Sequence, residues 1–249
     1  ARPADLSSLN AVYYASAPMP LPVLRRAIET FGPVLVQFYG MTETGVSTVL
    51  QAHQHILEGI PARVARLGSA GQATFRSRVR IVLPDGSEAA AGETGEVWLG
   101  GPTIMRGYWR QPDATASTLV DGWVRSGDVG RLDDELFLTI VDRMKDVIIT
   151  GGENVYPREV EEALLQHKGI DQAAVIGVPD AKWGEAVSAF VVARAGERPD
   201  ADELIAFCRT RIASYKKPRH IQYISELPRL ANGKVDKKAL RTSIALLEQ

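Results

Sequence analysis

The stretch that most constrains this chain is residues 151–164, Gly-Gly-Glu-Asn-Val-Tyr-Pro-Arg-Glu-Val-Glu-Glu-Ala-Leu. Two adjacent glycines close the apolar run Val147, Ile148, Ile149, Thr150. Glycine reaches backbone conformations that side chains forbid, so the chain is free to turn here or to let a ligand approach its backbone closely. Pro157 suits a first helical position, where its missing N–H costs nothing. An acidic amphipathic helix follows it. Strand, elbow and helix are thus set in that order, directly after the charged stretch Asp142-Arg143-Met144-Lys145-Asp146.

The rest of the chain alternates around this elbow. Residues 20–31 have helical spacing, and residues 34–40 read as a short apolar strand stopped by Gly40. Residues 63–141 are strand-rich: RVRIVL, an Asp85-Gly86 turn, TGEVWLGG, then WVRSG, VGRL and ELFLTIV, suggesting a small barrel. Beyond Asp142 come VIIT, the helix opened by Pro157, the strands AAVIGV and AVSAFVVAR, a helix over about 201–212, the strand HIQYI, and a last helix from about 236. Asp200 with Glu203 has capping-box spacing. The expected architecture is α/β and α+β. An α/β segment (1–62) and a β-rich segment (63–141) make one part, and a compact domain over 142–249 makes the other.

Composition narrows the functional classes. With 249 residues and 45% hydrophobic content, cores of ordinary size are available. A net charge of -1 exerts no general pull toward nucleic acid. The single cysteine, Cys208, excludes an internal disulfide and sits among Leu204, Phe207 and Ile212 as helix core. No apolar stretch is long enough to span a membrane. From Arg209 to Arg241 there are ten Lys or Arg against two acids, Glu226 and Asp236. Such a run suits a small polyanion or, more commonly, a solvated face. The chain opens on Ala1 rather than Met, which reads as a piece of a longer protein.

Four short motifs could carry chemistry. Tyr39-Gly40-Met41-Thr42-Glu43 places a hydroxyl and a carboxylate at a strand end, where a hydrated magnesium ion and a phosphate oxygen could be held; taken alone it is more often a plain turn. Ser126-Gly127-Asp128 could offer a carboxylate to two ribose hydroxyls, though such a tripeptide is a common turn. Residues 142–146 suit a hinge or an ordinary linker. Asn232-Gly233 is a strong turn signal that would present Lys234 at a loop tip, either for a developing phosphate oxygen or merely to solvent. Other patterns fail. Ser214 to Lys217 matches S-x-x-K without its companion elements. His53 and His55 have no obvious third ligand, so they read as a polar loop. There is no Walker A loop, no G-x-S-x-G and no G-x-G-x-x-G.

Order and spacing say more than any single motif. YGMTE, GEVWLGGP, MRGYW, GWVRSGDVGRLD, DRMKDVIITGGENVYPREVE and PRLANGKVDKKAL, in that sequence from about residue 9 to 241, resemble the adenylate-forming superfamily of acyl-CoA synthetases, peptide-synthetase adenylation domains and beetle luciferases. Within it the GGENVYPREVE stretch looks most like bacterial acyl-CoA ligases. Nothing matches the family's Ser/Thr/Gly-rich phosphate loop, so the chain resembles the C-terminal half: the end of the large AMP-binding domain followed by the small mobile domain, with a hinge near 143–146.

The resemblance implies an ATP-dependent acid–thiol ligase, cytoplasmic, using ATP, Mg2+ and coenzyme A on a fatty or other hydrophobic acid, with this piece inactive by itself. It implies a role for each matching residue. Ser16, Ala17 and Pro18 would flank adenine, Gln37 would meet its amino group, and Tyr39 would pack against it beside Gly40 and Met41. Thr42 would touch the α-phosphate and Glu43 would hold the metal. Asp128 would bind the ribose hydroxyls, Ile140 would line the base, and Arg143 would lie near the ribose. Lys145 falls at the hinge, Lys234 would assist adenylation, and Gly151 and Gly152 would border the path of CoA's pantetheine arm. Lys216, Lys217 and Arg219 could meet the CoA phosphates. The alternatives are a domain that loads a carrier protein and an inactive nucleotide-binding fragment.

Overall fold

The computed structural model describes residues 5–17, 19–231 and 233–247, so Pro18 and Asn232 lie outside the described residues. The chain divides into two compact units, Ala1–Ile140 and Val141–Gln249.

The first unit begins with β1 (Val12–Tyr14), α1 (Leu21–Phe31) and β2 (Leu35–Met41). β1 and β2 pair in parallel with α1 as the crossover. Helix α1 buries Leu24 and Ile28, one turn apart, against Leu35 and Leu67, and partly buried Val12 and Tyr14 join them. The chain turns back through residues 42–44 into β3 (Gly45–Leu50), which pairs antiparallel with β2. Gly40 therefore does not stop the strand, which runs on to Met41 and forms a hairpin. Helix α2 (Pro61–Ala65) and the short β4 (Gln72–Ala73) complete a sheet of order β1-β2-β3-β4.

A second sheet contains β5 (Arg78–Val82), β6 (Gly95–Gly100), β7 (Leu119–Val120), β8 (Trp123–Leu132) and β9 (Leu138–Arg143), with α3 (Pro112–Thr118) before β7. Its order is β5-β6-β8-β7, and β9 also pairs with β8. Ile81, Val97, Leu99 and Leu138 pack inward with Ala70, joined by Tyr39, Met41 and Ile140. The opposite face carries polar stacking. The Arg80 guanidinium lies 4.8 Å from the Trp98 ring centre and 4.3 Å from that of Trp123.

Strand β8 corrects one expectation. Ser126-Gly127-Asp128 is not a turn between two strands but a bulge inside one ten-residue strand. Glu96 pairs with Val129 and Trp98 with Arg125, so three residues span the space opposite Val97 alone. Gly127 has φ 68°, a left-handed value that lets the extra residues loop out while the ladder resumes on both sides.

The second unit is built on a five-stranded sheet. Its strands are β10 (Ile148–Thr150), β11 (Glu153–Val155), β12 (Ile170–Asp180), β13 (Gly184–Ala193) and β14 (His220–Tyr223). Their order is β11-β10-β13-β12, and β14 adds to β13 in parallel. Alternation along β12 and β13 covers both faces. Val175, Val187, Ala189 and Val191 pack on α4 (Pro157–Leu165) and α5 (Ala201–Arg209) through Val160, Ala163, Leu164, Leu204 and Cys208. Ala174, Ile176, Val178, Ala186 and Phe190 meet Leu227 and Leu240, the latter on α6 (Lys237–Leu247). Leu164 is wholly buried, and full burial of such a side chain stabilises by about 2 kcal/mol.

Helix ends follow side-chain chemistry. The Asp142 carboxylate accepts from the Arg158 N–H at 2.8 Å and so caps α4 behind Pro157. Asp200 caps α5 by accepting from the Asp202 N–H at 3.1 Å. Glu203 does not close the reciprocal box but faces His167 Nε2 at 3.3 Å.

Candidate functional site

In the first unit two motifs 89 positions apart in sequence meet. The Tyr39 phenol donates to Asp128 Oδ2 at 2.6 Å. Tyr39 stands near the end of β2, and Asp128 sits in the β8 bulge. Asp128 is 5% exposed and is held from behind. Its N–H donates to Ser126 Oγ at 3.0 Å, and that hydroxyl donates to the Val97 carbonyl at 2.7 Å. Ile140 and Met41 share the hydrophobic cluster against which Tyr39 packs. A phenol, a fixed carboxylate and an apolar wall therefore converge.

The hairpin beyond Tyr39 carries Thr42, which is exposed, and Glu43, which is half-buried. Beneath them Thr44 is 1% exposed, and Ser47 Oγ donates to its hydroxyl at 2.9 Å. Glu43 is clamped twice. Its carbonyl accepts from the Met105 N–H at 2.7 Å, and its Oε1 accepts from the Tyr108 phenol at 2.7 Å. The Tyr108 N–H in turn donates to Thr115 Oγ1 at 2.9 Å, which anchors the loop to α3. The Glu43 carboxylate pushes the Tyr108 phenol above its usual pKa. Tyr108, Thr44 and Ser126 were missed as supporting residues from sequence. Tyr108 lies in the MRGYW stretch, but its partner is 65 positions away.

Gln37 lies two residues before Tyr39, on the same face of β2, and Tyr14 on β1 is its cross-strand partner. Ser16 and Ala17 follow β1 and are exposed, Ser16 with φ 73°.

The remaining sequence-derived residues belong to the second unit. Arg143 and Lys145 are exposed, Lys145 within the short turn Met144–Asp146. Gly151 and Gly152 are the two-residue turn of the β10–β11 hairpin, with Thr150 paired to Glu153. Their φ values, 62° and 86°, are those of a tight primed turn that side chains resist. A Cβ on Gly151 would fall 2.8 Å from the Trp183 ring, whereas one on Gly152 would meet nothing within 4 Å. The elbow is thus a turn whose second residue presents open backbone. Lys234 is exposed on a loop closed by the Arg229–Val235 bridge, with the Leu230 N–H donating to the Lys234 carbonyl at 2.8 Å.

Of the basic segment, Lys216 turns inward and pairs with Glu159 at 2.7 Å. Lys217 keeps a pKa below the usual lysine value, from burial and from neighbouring Arg209 and Arg219. The Arg219 guanidinium lies 4.6 Å from the Trp183 ring centre.

Comparison with known proteins decides the family. The description "AMP-binding enzyme" matches residues 1–109, and "AMP-binding enzyme C-terminal domain" matches residues 159–234. The chain belongs to the adenylate-forming superfamily. It is 43% identical over 240 residues to a feruloyl-CoA synthase of Amycolatopsis, covering 96% of this chain and 47% of that protein. It resembles the amide bond synthetase McbA of Marinactinospora thermotolerans with TM-score 0.88 and 39% identity, covering 96% of this chain and 47% of the other. It also resembles the o-succinylbenzoate CoA synthetase of Bacillus subtilis, solved with its acyl-adenylate intermediate, with TM-score 0.80 and 35% identity over 96% of this chain and 49% of the other. The chain spans about half the length of these adenylate-forming relatives. Among the described residues, no helix is long and apolar enough to cross a membrane.

Proposed function

We propose that the protein carrying this chain activates a carboxylic acid with ATP as an acyl-adenylate and then transfers the acyl group to coenzyme A. The observation that carries this reading is the Tyr39–Asp128 bond, which joins the YGMTE and SGD motifs into one pocket edge. An ionised carboxylate has about four acceptor sites, so an Asp128 that accepts the Tyr39 hydrogen bond has the acceptor chemistry to meet ribose hydroxyls as well. The Tyr39 ring and Ile140 offer apolar surface to adenine. Gln37 faces the amino group of the base, and the backbone of Ser16, Ala17, Gly40 and Met41 borders it. Thr42 donates to the α-phosphate, and Arg143 lies by the ribose.

Glu43 and Thr42 supply hard oxygen donors, which suit magnesium. Among the described residues, no group of three or more His, Cys, Asp or Glu could hold a metal by itself. Glu43 would therefore bind an ion that takes its other ligands from phosphate and water. Bound there, Mg2+ would neutralise charge on the phosphoryl oxygens.

A carboxylate is a poor acyl donor. Its oxygen attacks the α-phosphorus, the bond to pyrophosphate breaks, and Lys234 balances the charge. The CoA thiolate then attacks the acyl carbon and AMP departs. Lys145 serves as the pivot between the two half-reactions. Gly152 leaves room for the pantetheine arm, and Lys217 and Arg219 meet the CoA phosphates. No Lys or Arg lies between Gly32 and Arg63, which favours a neutral aliphatic or aromatic acid over a dicarboxylate.

The test uses the complete protein with a panel of neutral and dicarboxylic acids. AMP release that needs acid, ATP and CoA together is expected, highest with neutral acids. Pyrophosphate release with no acid in the panel would overturn the reading. The likeness to an amide bond synthetase supports a second reading in which an amine is the acceptor. A carrier protein is the third acceptor to include.

Tyr108 gives a separate prediction. Tyr108→Phe removes the phenol hydroxyl that steadies Glu43 and should raise the Mg2+ concentration needed for half-maximal ATP binding by about five- to tenfold, the worth of about one hydrogen bond. Calorimetric titration of ATP at a series of Mg2+ concentrations measures it. A shift that is the same with and without Mg2+ would assign Tyr108 to packing alone.

A further inference from the structure

One hydrogen-bond chain in the first unit ends on Gln37 and begins with two residues, His55 and Tyr14, that have no part in the roles above. His55, one half of the unmatched H-x-H pattern, is 5% exposed. Its Nδ1 lies 2.9 Å from the Gln51 carbonyl oxygen, and its Nε2 lies 2.9 Å from the Tyr14 hydroxyl. The same hydroxyl lies 3.3 Å from the side-chain amide of Gln37, its cross-strand partner. We propose that His55 and Tyr14 are positioning residues that fix the polarity of the Gln37 carboxamide, turning its carbonyl oxygen toward the base so that the site accepts adenine and rejects a purine bearing a carbonyl in place of the amine. This rests on the reading that Gln37 faces the base.

The argument is a count of protons. The Gln51 carbonyl only accepts, so Nδ1 of His55 must carry the hydrogen. Burial holds His55 below its usual pKa, and the ring is neutral. Nε2 is then bare and must accept. The Tyr14 hydroxyl has one proton, and burial, which pushes its pKa to about 12, keeps it there. That proton goes to Nε2, the shorter of its two contacts. The phenolic oxygen can now only accept. An amide oxygen facing it would set lone pair against lone pair, whereas an amide N–H would complete the chain. Oε1 stands at this contact in the side chain's present orientation, where oxygen and nitrogen are interchangeable in shape. A half-turn about the last side-chain bond exchanges oxygen and nitrogen in the same envelope, and the proton count selects that exchange.

The consequence is directional. With its N–H2 committed to Tyr14, Gln37 presents an acceptor outward. Adenine offers an exocyclic amine, a donor. Inosine offers a carbonyl there, and two acceptors would meet. Buried polar groups left unpaired in this way are what make such discrimination large.

The test is equilibrium binding of ATP and of inosine triphosphate to the complete protein, in the absence of acid and CoA, for the wild type, Tyr14→Phe and His55→Phe. The wild type should prefer ATP. Tyr14→Phe frees the carboxamide to turn either way, and the ATP-to-ITP affinity ratio should fall about tenfold. His55→Phe keeps a ring of similar breadth but removes the acceptor. The Tyr14 proton then turns to the Gln37 oxygen and the amide N–H2 faces outward, so the ratio should fall further than in Tyr14→Phe. If one variant fails to fold, the other decides. A purely structural role would weaken both nucleotides alike, and an unchanged ratio in a folded variant overturns the proposal. A wild type that binds neither nucleotide overturns the adenylate reading beneath it instead.

Discussion

Lys234→Ala in the complete protein is expected to lower acyl-adenylate formation roughly a hundredfold or more, the cost of about 3 kcal/mol for one charged contact to a developing oxyanion. The fold should not change. Lys234 is exposed, and several groups besides it hold its loop. The Arg229–Val235 bridge closes it, the Arg229 guanidinium donates to the Gly233 carbonyl at 2.9 Å, and Val235 packs into the cluster around Phe190. Surface changes of this kind alter stability by roughly half a kcal/mol at most. Acyl-AMP supplied from outside should still be converted to thioester, because that step expels AMP without forming the charge that Lys234 balances. Single-turnover assays of the two half-reactions separate these outcomes. Equal loss in both would remove Lys234 from the adenylation step. Lys234→Arg should restore little, since a planar fork does not replace a compact ammonium.

The second large effect concerns folding and can be measured on this chain directly. Gly71→Ala should destabilise the first unit by about 2–5 kcal/mol. Gly71 has φ 81°, and a left-handed conformation costs a side chain about 1–2 kcal/mol. A Cβ there would also fall 2.1 Å from the Val49 carbonyl carbon and oxygen, against the backbone near the end of β3. Overpacking of this kind costs about 1–3 kcal/mol when neighbours can move, and backbone moves least. Gly71 cannot shift away, because its carbonyl accepts from the Leu138 N–H at 2.8 Å and so ties the two sheets of the unit together. Thermal unfolding followed by circular dichroism should show a drop of roughly 5–15 °C in the transition of that unit. A drop below a degree or two would mean that the close approach relaxes freely.

Local chemistry was legible in the sequence where the cause was local. The helix opened by Pro157 is present, and Cys208 is buried in the core as its neighbours imply. The glycine elbow was recognised, but not as a two-residue hairpin. Glu153, Asn154 and Val155 alone do not announce a strand, and they become one by pairing with Ile148 to Thr150. The Asp200–Glu203 box failed because His167, from another helix end, competes for Glu203. Lys216 looked like a ligand-facing cation, but Glu159 on α4 draws it inward. The candidate site shows the same division. YGMTE and SGD were legible as motifs. That Tyr39 holds Asp128, that Tyr108 clamps Glu43 and that Tyr14 links His55 to Gln37 all depend on contacts 89, 65 and 41 or 23 positions apart, which no local pattern encodes.

The widened rung of β8 behaves like a reading frame. Arg125 before it and Val129 after it lie an even number of residues apart, so side chains keep the same sides of the sheet across it. Losing one residue between them would be a frameshift wherever the strand stayed regular: every position downstream would swap inside for outside along that sheet. Losing Gly127 and Asp128 together would be in frame, and the sheet would close flush, intact but with no carboxylate left to offer. The architecture of this strand can therefore outlive its chemistry, and a relative could shed the latter in a single in-frame step.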